Sequence, residues 1–340
     1  MNAKLCIECF FFFWPNMIKI YGIAWARNAF QFKHPFKCKQ RVLTSAHYAS
    51  LSSAQIASPN LPLRDRFSVA PMMDYTDMHQ RYLMRLLSRH AVLYTEMVTS
   101  YSLVHSPTPD RFLCATMPFE EPVVLQLGGS DPEYVRKAAR LAFDYGYREF
   151  NINAGCPSEK VAGAGNFGAS LMLNPQLVGV LVNAIKEETG CRVTVKCRIG
   201  VNDNDSYEEL VRFVDAVRST GNVTHFIVHA RKAILGKKFS PADNRKIPPL
   251  KYDYVHKLVQ DFPYLQFTIN GGFMTIEECR EQLDRHGVHG VMVGRAVTNY
   301  PFHWRNVDSV LYGHKDPGAE NLYVYVYFHM FIMSSFYCYV

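Results

Sequence analysis

The stretch RVTVKCRIG, residues 192–200, decides the fold class of this chain. Its apolar side chains alternate with polar ones, as they do in a β-strand, where successive side chains point to opposite faces. The apolar face consists of Val193, Val195, Cys197 and Ile199, and the polar face of Thr194, Lys196 and Arg198. The apolar face is suited to pack against helices. The other face carries two cations, so the pattern predicts a sheet with one polar, functional surface.

Seven further short stretches along the chain have the same strand-like character. They are FSVAPM from Phe67, VLYTEMV from Val92, VVLQLGG from Val123, EFNINAG from Glu149, HFIVHAR from His225, QFTINGG from Gln266 and GVMVGRA from Gly290. Helix-like segments lie between most of them, with N-terminal signals at Asp131-Pro132, Asn174-Pro175 and Thr275. Eight strand–helix units in about 230 residues predict an α/β fold, the (β/α)8 TIM barrel. An open, doubly wound sheet is the alternative, although no strand is followed by G-x-G-x-x-G.

The inward faces of several strands carry amides and bases near their carboxyl ends. These residues are Gln126, Asn151, Asn153, His229, Arg231 and Asn270. Barrel enzymes have their active sites at this end of the strands. A purely structural interior would carry Val, Ile and Leu there, so the pattern favours a bound polar cofactor.

Two glycine turns follow strands seven and eight, Asn270-Gly271-Gly272 and Gly294-Arg295. Glycines let backbone N–H groups approach phosphate oxygens, and an arginine adds a charged fork. Barrels commonly bind phosphate at these two loops. Lys196 would then face the negative charge of a reduced flavin, with Gln126 at a ring nitrogen or carbonyl. The alternative for Lys196 is an ion pair with a buried acid such as Glu96.

The stretch NINAGCPS from Asn151 ends a strand in a Gly-Cys-Pro turn that presents the thiol of Cys156 at the barrel mouth. Beside a flavin, a cysteine can act as a general acid that protonates one carbon while hydride goes to its neighbour. That reaction is the reduction of a polarised C=C bond. The alternative is a small buried hydrophobic residue, which suits the four other cysteines between residues 64 and 305 better. No cysteine spacing predicts a metal site.

Seven motifs in order give the chain a clear resemblance to one family. They are APMMD from Ala70, LQLGG from Leu125, NINAGCPS from Asn151, VKCRIG from Val195, VHARKA from Val228, INGG from Ile269 and VGRA from Val293. The chain resembles the tRNA-dihydrouridine synthases, and RKAILGKKFSPADNRKIPPLKY from Arg231 resembles the bacterial A-type subfamily. The resemblance covers residues 64–305. It implies an FMN enzyme that uses NADPH to reduce uridines 20 and 20a in the tRNA D-loop to 5,6-dihydrouridine.

The resemblance also implies roles for individual residues. The flavin ring would be held by Pro71, Met72, Met73, Gln126, Lys196 and His229. The phosphate would be held by Asn270, Gly271, Gly272, Gly294 and Arg295. Cys156 would protonate C5 of uracil after hydride passes from flavin N5 to C6. The substrate would be bound by Asn153, Arg198, Arg231 and Lys232.

The net charge of +7 lies outside the barrel region. Residues 1–64 contain eight Lys and Arg against one acid, and the rest of the chain contains equal numbers of both signs. Within the barrel region, residues 231–251 contain seven bases and one acid, and we expect this basic loop to grip tRNA. Arg81, Arg85 and Arg89 share one helix face, which we expect either to contact tRNA or to be solvated.

The two ends of the chain differ from its middle. Residues 1–60 are basic, aromatic and nearly free of acids, which is typical of an organelle transit peptide. They predict a disordered leader and a mitochondrial or plastid location; a basic arm on a cytoplasmic protein is the alternative. Residues 306–340 form an atypical tail, in which Leu322–Val340 contains no Asp, Glu, Lys or Arg. We interpret this tail, in order of preference, as a terminus foreign to the ancestral domain, as a buried or edge strand, or as a tail anchor.

The sequence therefore predicts a barrel over residues 64–305 with the family's C-terminal helical domain truncated. We expect tRNA as the partner, no membrane partner and a monomer. Three functions remain open at this point. They are a tRNA-dihydrouridine synthase, an FMN barrel reductase of a small-molecule pyrimidine, and a truncated form that binds flavin or RNA without turnover.

Overall fold

Eight parallel strands close into a barrel in sequence order, each paired with the next and β1 with β8. The computed structural model describes residues 64–115, 118–163, 165–236 and 239–318. The strands are β1 Phe67–Val69, β2 Val92–Thr99, β3 Val123–Gly128, β4 Glu149–Ala154, β5 Arg192–Arg198, β6 His225–His229, β7 Gln266–Asn270 and β8 Gly290–Val293. All eight predicted strands are present, and the predicted (β/α)8 barrel is confirmed.

Helices follow the strands on the outside of the barrel. They are α1 Met78–Leu87, α2 Ser100–His105, α3 Asp110–Leu113, α4 Pro132–Asp144, α5 Pro175–Thr189, α6 Tyr207–Gly221, α7 Tyr252–Asp261, α8 Ile276–His286 and α9 Arg295–Asn299. The predicted N-terminal signals are confirmed, because Asp131, Asn174 and Thr275 each accept backbone N–H groups of the first turn. Short 3-10 turns span Gly168–Leu173, Asp243–Arg245 and Pro301–Trp304, and single π-helical turns span Glu159–Gly163 and Asp308–Tyr312.

The main apolar core lies between the strands and the helices. It contains the whole predicted apolar face of β5, from Val193 to Ile199, with no residue of that face more than 3% exposed. Strand register explains this, because Val195 pairs with Ile152 on β4 and with Phe226 on β6, so the three side chains point outward together. The polar residues of β5 consequently face the barrel interior.

A polar cluster occupies the amino-terminal end of the barrel interior. There Arg192 donates to Asp65 (2.7 Å) and to Nδ1 of His225 (2.7 Å). Burial lowers the pKa of His225 to about 3, so its ring is neutral and its Nε2 donates to Thr268 (2.8 Å). Above this ionic base lies an apolar layer made of Ala70, Val92, Tyr94, Val124, Ile227 and Met292. The interior is therefore polar at its amino-terminal end as well as near the carboxyl ends of the strands, where the sequence predicts its polar residues.

The expectation for the face of Arg81, Arg85 and Arg89 is wrong for the first two residues. Arg81 is 4% exposed and donates to the buried Glu120 at 2.6 Å. Arg85 is 5% exposed and donates to five backbone carbonyls, among them that of Pro122. The spacing of four directs both side chains toward buried loop carbonyls, so these arginines stabilise the fold.

The chain after α9 packs against the barrel. Trp304 is fully buried and its ring is stacked 5.2 Å from that of Phe67. The hydroxyl of Tyr312 accepts from the N–H of Phe67 (3.0 Å), and Asp308 accepts from Ser88 (2.5 Å). Packing therefore continues beyond residue 305. The proposed leader 1–60 and the uncharged stretch Leu322–Val340 lie outside the described residues. In the part of the chain that is described, no helix is both long and apolar enough to cross a membrane.

Candidate active site

Hydrogen bonds on both sides fix the backbone of Cys156 in the turn after β4. Asn153 accepts on Oδ1 from the backbone N–H groups of Gly155 (3.0 Å) and Cys156 (2.9 Å). On the other side, the N–H of Ala169 donates to the Cys156 carbonyl at 2.9 Å. Gly168 has φ +67°, and a Cβ there would lie 2.7 Å from that carbonyl oxygen, so the position requires glycine. The thiol is therefore fixed, half-buried, at the carboxyl end of β4.

The electrostatic surroundings of Cys156 suit a proton donor. Burial raises the pKa of its thiol, and a backbone hydrogen bond at Ser158 and the cations Arg198, Lys196 and Arg245 oppose the rise without reversing it. The thiol is consequently protonated at neutral pH. If it releases the proton, the same cations stabilise the thiolate that remains.

A ladder of amide hydrogen bonds runs through the barrel wall to the cysteine turn. Asn151 donates to Thr194 (2.8 Å), Gln126 donates to Asn151 (2.7 Å), and Asn153 donates to Gln126 (2.8 Å). All four side chains are buried. The ladder leaves one N–H of Asn153, and one N–H and one lone pair of Gln126, for a ligand. It fixes the rotamer of Asn153 and so the position of Cys156.

Lys196 is the cation at the centre of the mouth. Its Nζ donates to Oδ1 of Asn270 (3.1 Å), whose Nδ2 donates to the Met292 carbonyl (2.8 Å). Burial and the neighbouring Arg198 lower the pKa of Lys196 to about 8. The alternative partner, Glu96, instead accepts from the backbone N–H of Asp74 (2.5 Å). The ammonium group of Lys196 is thus positioned by the neutral amide of Asn270, which leaves its positive charge uncompensated.

The glycine turn after β7 lies against His229. Gly271 has φ +126° and Gly272 has φ +85°, and a Cβ on Gly271 would lie 2.8 Å from the imidazole of His229 and 2.9 Å from Leu250. Burial, helped by Arg198 and three other cations, holds the pKa of His229 well below its ordinary value, so the ring is neutral. Tyr252 donates from its hydroxyl to the Gly271 carbonyl. The turn therefore requires glycine and packs against His229, Leu250 and Tyr252.

The loop after β1 meets the turn after β8. A Cβ on Gly294 would lie 3.3 Å from Sδ of Met72, so the two loops are in contact. The N–H of Met72 donates to Thr76 at 2.9 Å, which fixes the loop, and Met73 is 52% exposed at its tip. Met72 thus lies beside Gly294.

The predicted substrate-binding cations have different surroundings. Arg198 is 4% exposed and donates to three backbone carbonyls. Arg231 donates to the Pro248 carbonyl. Lys232 and Lys251 share the carboxylate of Asp205 at 3.2 and 3.3 Å. One acid from the loop after β5 therefore neutralises part of the basic loop 231–251, whereas Arg245 and Lys246 are exposed. Lys237 and Lys238 lie outside the described residues.

The model of one protein family, described as Dihydrouridine synthase (Dus), matches residues 68–332. The chain belongs to the dihydrouridine synthase family. The match includes the barrel from the second residue of β1 onward and the Trp304–Tyr312 segment packed against it. The resemblance drawn from the sequence motifs, and with it the prediction of an enzyme, is confirmed.

Three curated relatives of this family are each named tRNA-dihydrouridine(20/20a) synthase. The protein of Synechocystis is 48% identical over 72% of this chain and 71% of its own length. The protein of Escherichia coli K12 is 48% identical over 75% of this chain and 72% of its own length. The protein of Vibrio parahaemolyticus is 46% identical over 77% of this chain and 80% of its own length.

A solved structure supports the architecture alone. A 2-naphthoyl-CoA reductase in complex with 2-naphthoyl-CoA superposes with a TM-score of 0.56 at 9% identity. It matches 71% of this chain, and the chain spans about half (49%) of that protein. At this level of identity the likeness shows a shared barrel and carries no information on the substrate.

Several residues of the dihydrouridine synthase site were not predicted as site residues. Asn151 and Thr194 complete the amide ladder, and their inward position along the strands was the available signal. In the sequence Arg245 is only one of the charges of the basic loop, yet in the structure its cation favours the thiolate form of Cys156. Asp205 carried no sequence signal, because it reaches the basic loop only in the folded chain.

Proposed function

We propose that this chain reduces uridines 20 and 20a of the tRNA D-loop to 5,6-dihydrouridine, with FMN as bound cofactor and NADPH as reductant. The observation that carries the proposal is the protonated thiol of Cys156, fixed at the mouth beside the cations Lys196 and Arg245. The named activity of relatives up to 48% identical supports the choice of substrate.

The residues at the mouth fit FMN. Both positions of the Gly271-Gly272 turn require glycine, because a Cβ there would lie 2.8–2.9 Å from His229, Leu250 or Tyr252, and Gly294 lies beside Met72. Lys196 offers an un-neutralised cation for an anionic ring edge. In the proposal Pro71, Met72, Met73, Gln126, Lys196 and His229 hold the ring, and Gly271, Gly272, Gly294 and Arg295 hold the phosphate. Asn270 contributes by fixing Lys196, since its side chain is committed to that lysine and to β8.

Bound and reduced, FMN supplies the hydride that adds to C6 of uracil. Cys156 then donates its proton to C5, so that the S–H bond breaks as the C5–H bond forms. The thiolate left behind is stabilised by Lys196, Arg198 and Arg245 and regains a proton from water. The neutral ring of His229 adds a hydrogen-bonding group without adding charge.

The substrate base must be turned out of the tRNA to reach the mouth. Exposed cations on the basic loop, Arg245 and Lys246 among the described residues, are placed to contact the flanking phosphates. Lys237 and Lys238 belong to the same loop and add to its charge.

The test is NADPH-dependent formation of dihydrouridine in tRNA that lacks it, with purified chain that shows the yellow FMN spectrum. Product that disappears in Cys156→Ala supports the proposal. FMN binding without product in the wild-type chain would instead indicate a form that binds flavin without turnover. Reduction of free pyrimidines but not of tRNA would indicate a small-molecule reductase.

The composition of residues 1–60 supports a further part of the proposal, a leader that directs the barrel to a mitochondrion or plastid. In this layout residues 64–305 form the FMN barrel, residues 306–340 the atypical tail, and the protein is a monomer. Fusing residues 1–60 to a fluorescent protein tests the leader. Diffuse cytoplasmic fluorescence would contradict it.

A further inference from the structure

Arg198, the last residue of β5, joins the two loops that the proposed reaction uses. Its Nε donates to the carbonyl of Gly155 at 2.8 Å, next to Cys156. Its Nη1 donates to the carbonyls of Lys232 (2.9 Å) and Asn244 (3.0 Å). One of these three acceptors belongs to the cysteine turn, and the other two belong to the basic loop, twelve residues apart.

Each of the two loops also has hydrogen bonds of its own, independent of Arg198. Asn153 holds the N–H groups of the cysteine turn. Within the basic loop, the fully buried Asn244 donates to the Ile234 carbonyl (2.9 Å) and accepts from the Ile234 N–H (2.7 Å). Arg198 therefore links two preformed units and fixes the distance between them.

The guanidinium geometry suits this link. Arginine presents five N–H donors in a rigid plane, and Arg198 uses three of them on carbonyls that diverge into different loops. The side chain is 4% exposed, so these carbonyls would lack partners if the fork were removed. A lysine could carry the same charge but could not bridge the same three acceptors.

We propose that Arg198 is a positioning residue that holds the proton donor Cys156 in register with the RNA-contacting loop. This inference rests on the proposed function and assigns Arg198 a different task from the direct base contact that the family resemblance implies. RNA that docks on Lys246 and its neighbours is thereby placed at a set distance from the thiol. Loss of the link affects both docking and proton transfer.

The test is Arg198→Lys in the full chain, which keeps a cation near Cys156 but removes the planar guanidinium group that donates to both loops. Arg280→Lys is the matched control, because Arg280 is 62% exposed and pairs only along its own helix with Asp284. We expect hydrogen exchange of the backbone around residues 153–158 and 232–246 to accelerate about tenfold in Arg198→Lys and to stay unchanged in the control.

Kinetics give a second signature. We expect kcat to fall by about 100-fold, because the thiol is misplaced, and KM for tRNA to rise as well. Cys156→Ala should lower kcat alone, and Lys246→Ala should raise KM alone. A loss of turnover in Arg198→Lys with unchanged exchange in both loops would overturn the inference and indicate direct base contact.

The exchange measurement needs no tRNA, so it decides the role of Arg198 even if wild-type chain forms no dihydrouridine and the proposed function fails. Should Arg198→Lys not fold, Arg198→Gln allows the same comparison, since its amide retains donors without the fork. Slow exchange in both loops of a folded Arg198→Gln protein would likewise overturn the inference.

Discussion

Replacing Gln126 by Leu tests the amide ladder that positions Cys156. Leucine has nearly the volume of glutamine, so the change creates little cavity or overpacking. It removes the donor to Asn151 and the acceptor of Asn153, both inside the barrel wall. Asn151 Oδ1 and Asn153 Nδ2 are then buried without partners, while the other bonds of those two amides persist.

The magnitude follows from the number of groups left unpaired. Each buried unpaired polar group costs about 1–3 kcal/mol, so Gln126→Leu should lower the free energy of unfolding by about 2–6 kcal/mol. Thr194→Val is the matched control at the end of the ladder. It leaves Asn151 Nδ2 unpaired, removes a long second bond (3.4 Å) to the Phe150 carbonyl, and should cost about 1–3 kcal/mol.

The assay is equilibrium urea unfolding of FMN-free protein, followed by fluorescence and circular dichroism, with coincident transitions required. Gln126→Leu should lose about twice the free energy that Thr194→Val loses. A loss in Gln126→Leu no larger than in Thr194→Val would refute the ladder as described, because it would mean that the two Gln126 bonds contribute nothing net.

Three further results are expected. Alkylation of Cys156 by iodoacetamide, taken as the difference between wild type and Cys156→Ser, should be slow at neutral pH and rise only at alkaline pH, because burial raises the thiol pKa. Fast reaction at pH 7 would rule out a protonated donor. Gly271→Ala should weaken FMN binding by about 1–3 kcal/mol, or about 5-fold to 150-fold, because φ at this position is +126° and the new Cβ would meet His229. Titration of FMN-free protein with FMN measures the change. Gly313→Ala is the control, because a Cβ at Gly313 meets no other atom. Lys196→Met should make FMN-free protein more stable at pH 7 by roughly 1–3 kcal/mol, because the folded lysine has its pKa lowered from 10.5 to about 8 and its charge is costly to bury. Between about pH 8 and pH 10.5 the unfolded chain binds one proton more than the folded chain, so the stability of the wild type rises with pH. The stability difference between Lys196→Met and the wild type should therefore vanish above about pH 10.5. A stability difference that grows with pH would contradict this assignment.

The regular elements could be predicted because their signals are local. The alternation in β5 and the caps at Asp131, Asn174 and Thr275 depend on neighbouring residues, and each one is present in the structure. The position of Cys156 at the mouth was predictable for the same reason, since a turn after a barrel strand must lie at that end.

The surroundings of side chains could not be predicted, because they depend on residues that are distant in the sequence. Arg81 and Arg85 have the spacing of a surface stripe, yet Glu120 and loop carbonyls from beyond β2 bury them. The charge of the basic loop was overestimated, because Asp205 lies 27 residues before Lys232 in the sequence and pairs with it only after folding. Arg198 is a third example, since the carbonyls that it binds belong to two other strand–loop units.

The polar cluster at the amino-terminal end of the barrel has a consequence for the order of events. The cluster around Arg192 and Asp65 occupies that end, and the residues proposed to bind the flavin lie at the other end, with Cys156. Under the proposed function, the nicotinamide that reduces the flavin and the uridine that oxidises it therefore compete for the Cys156 end. Double-reciprocal plots for the two substrates should therefore be parallel, and an excess of either substrate should inhibit the half-reaction of the other.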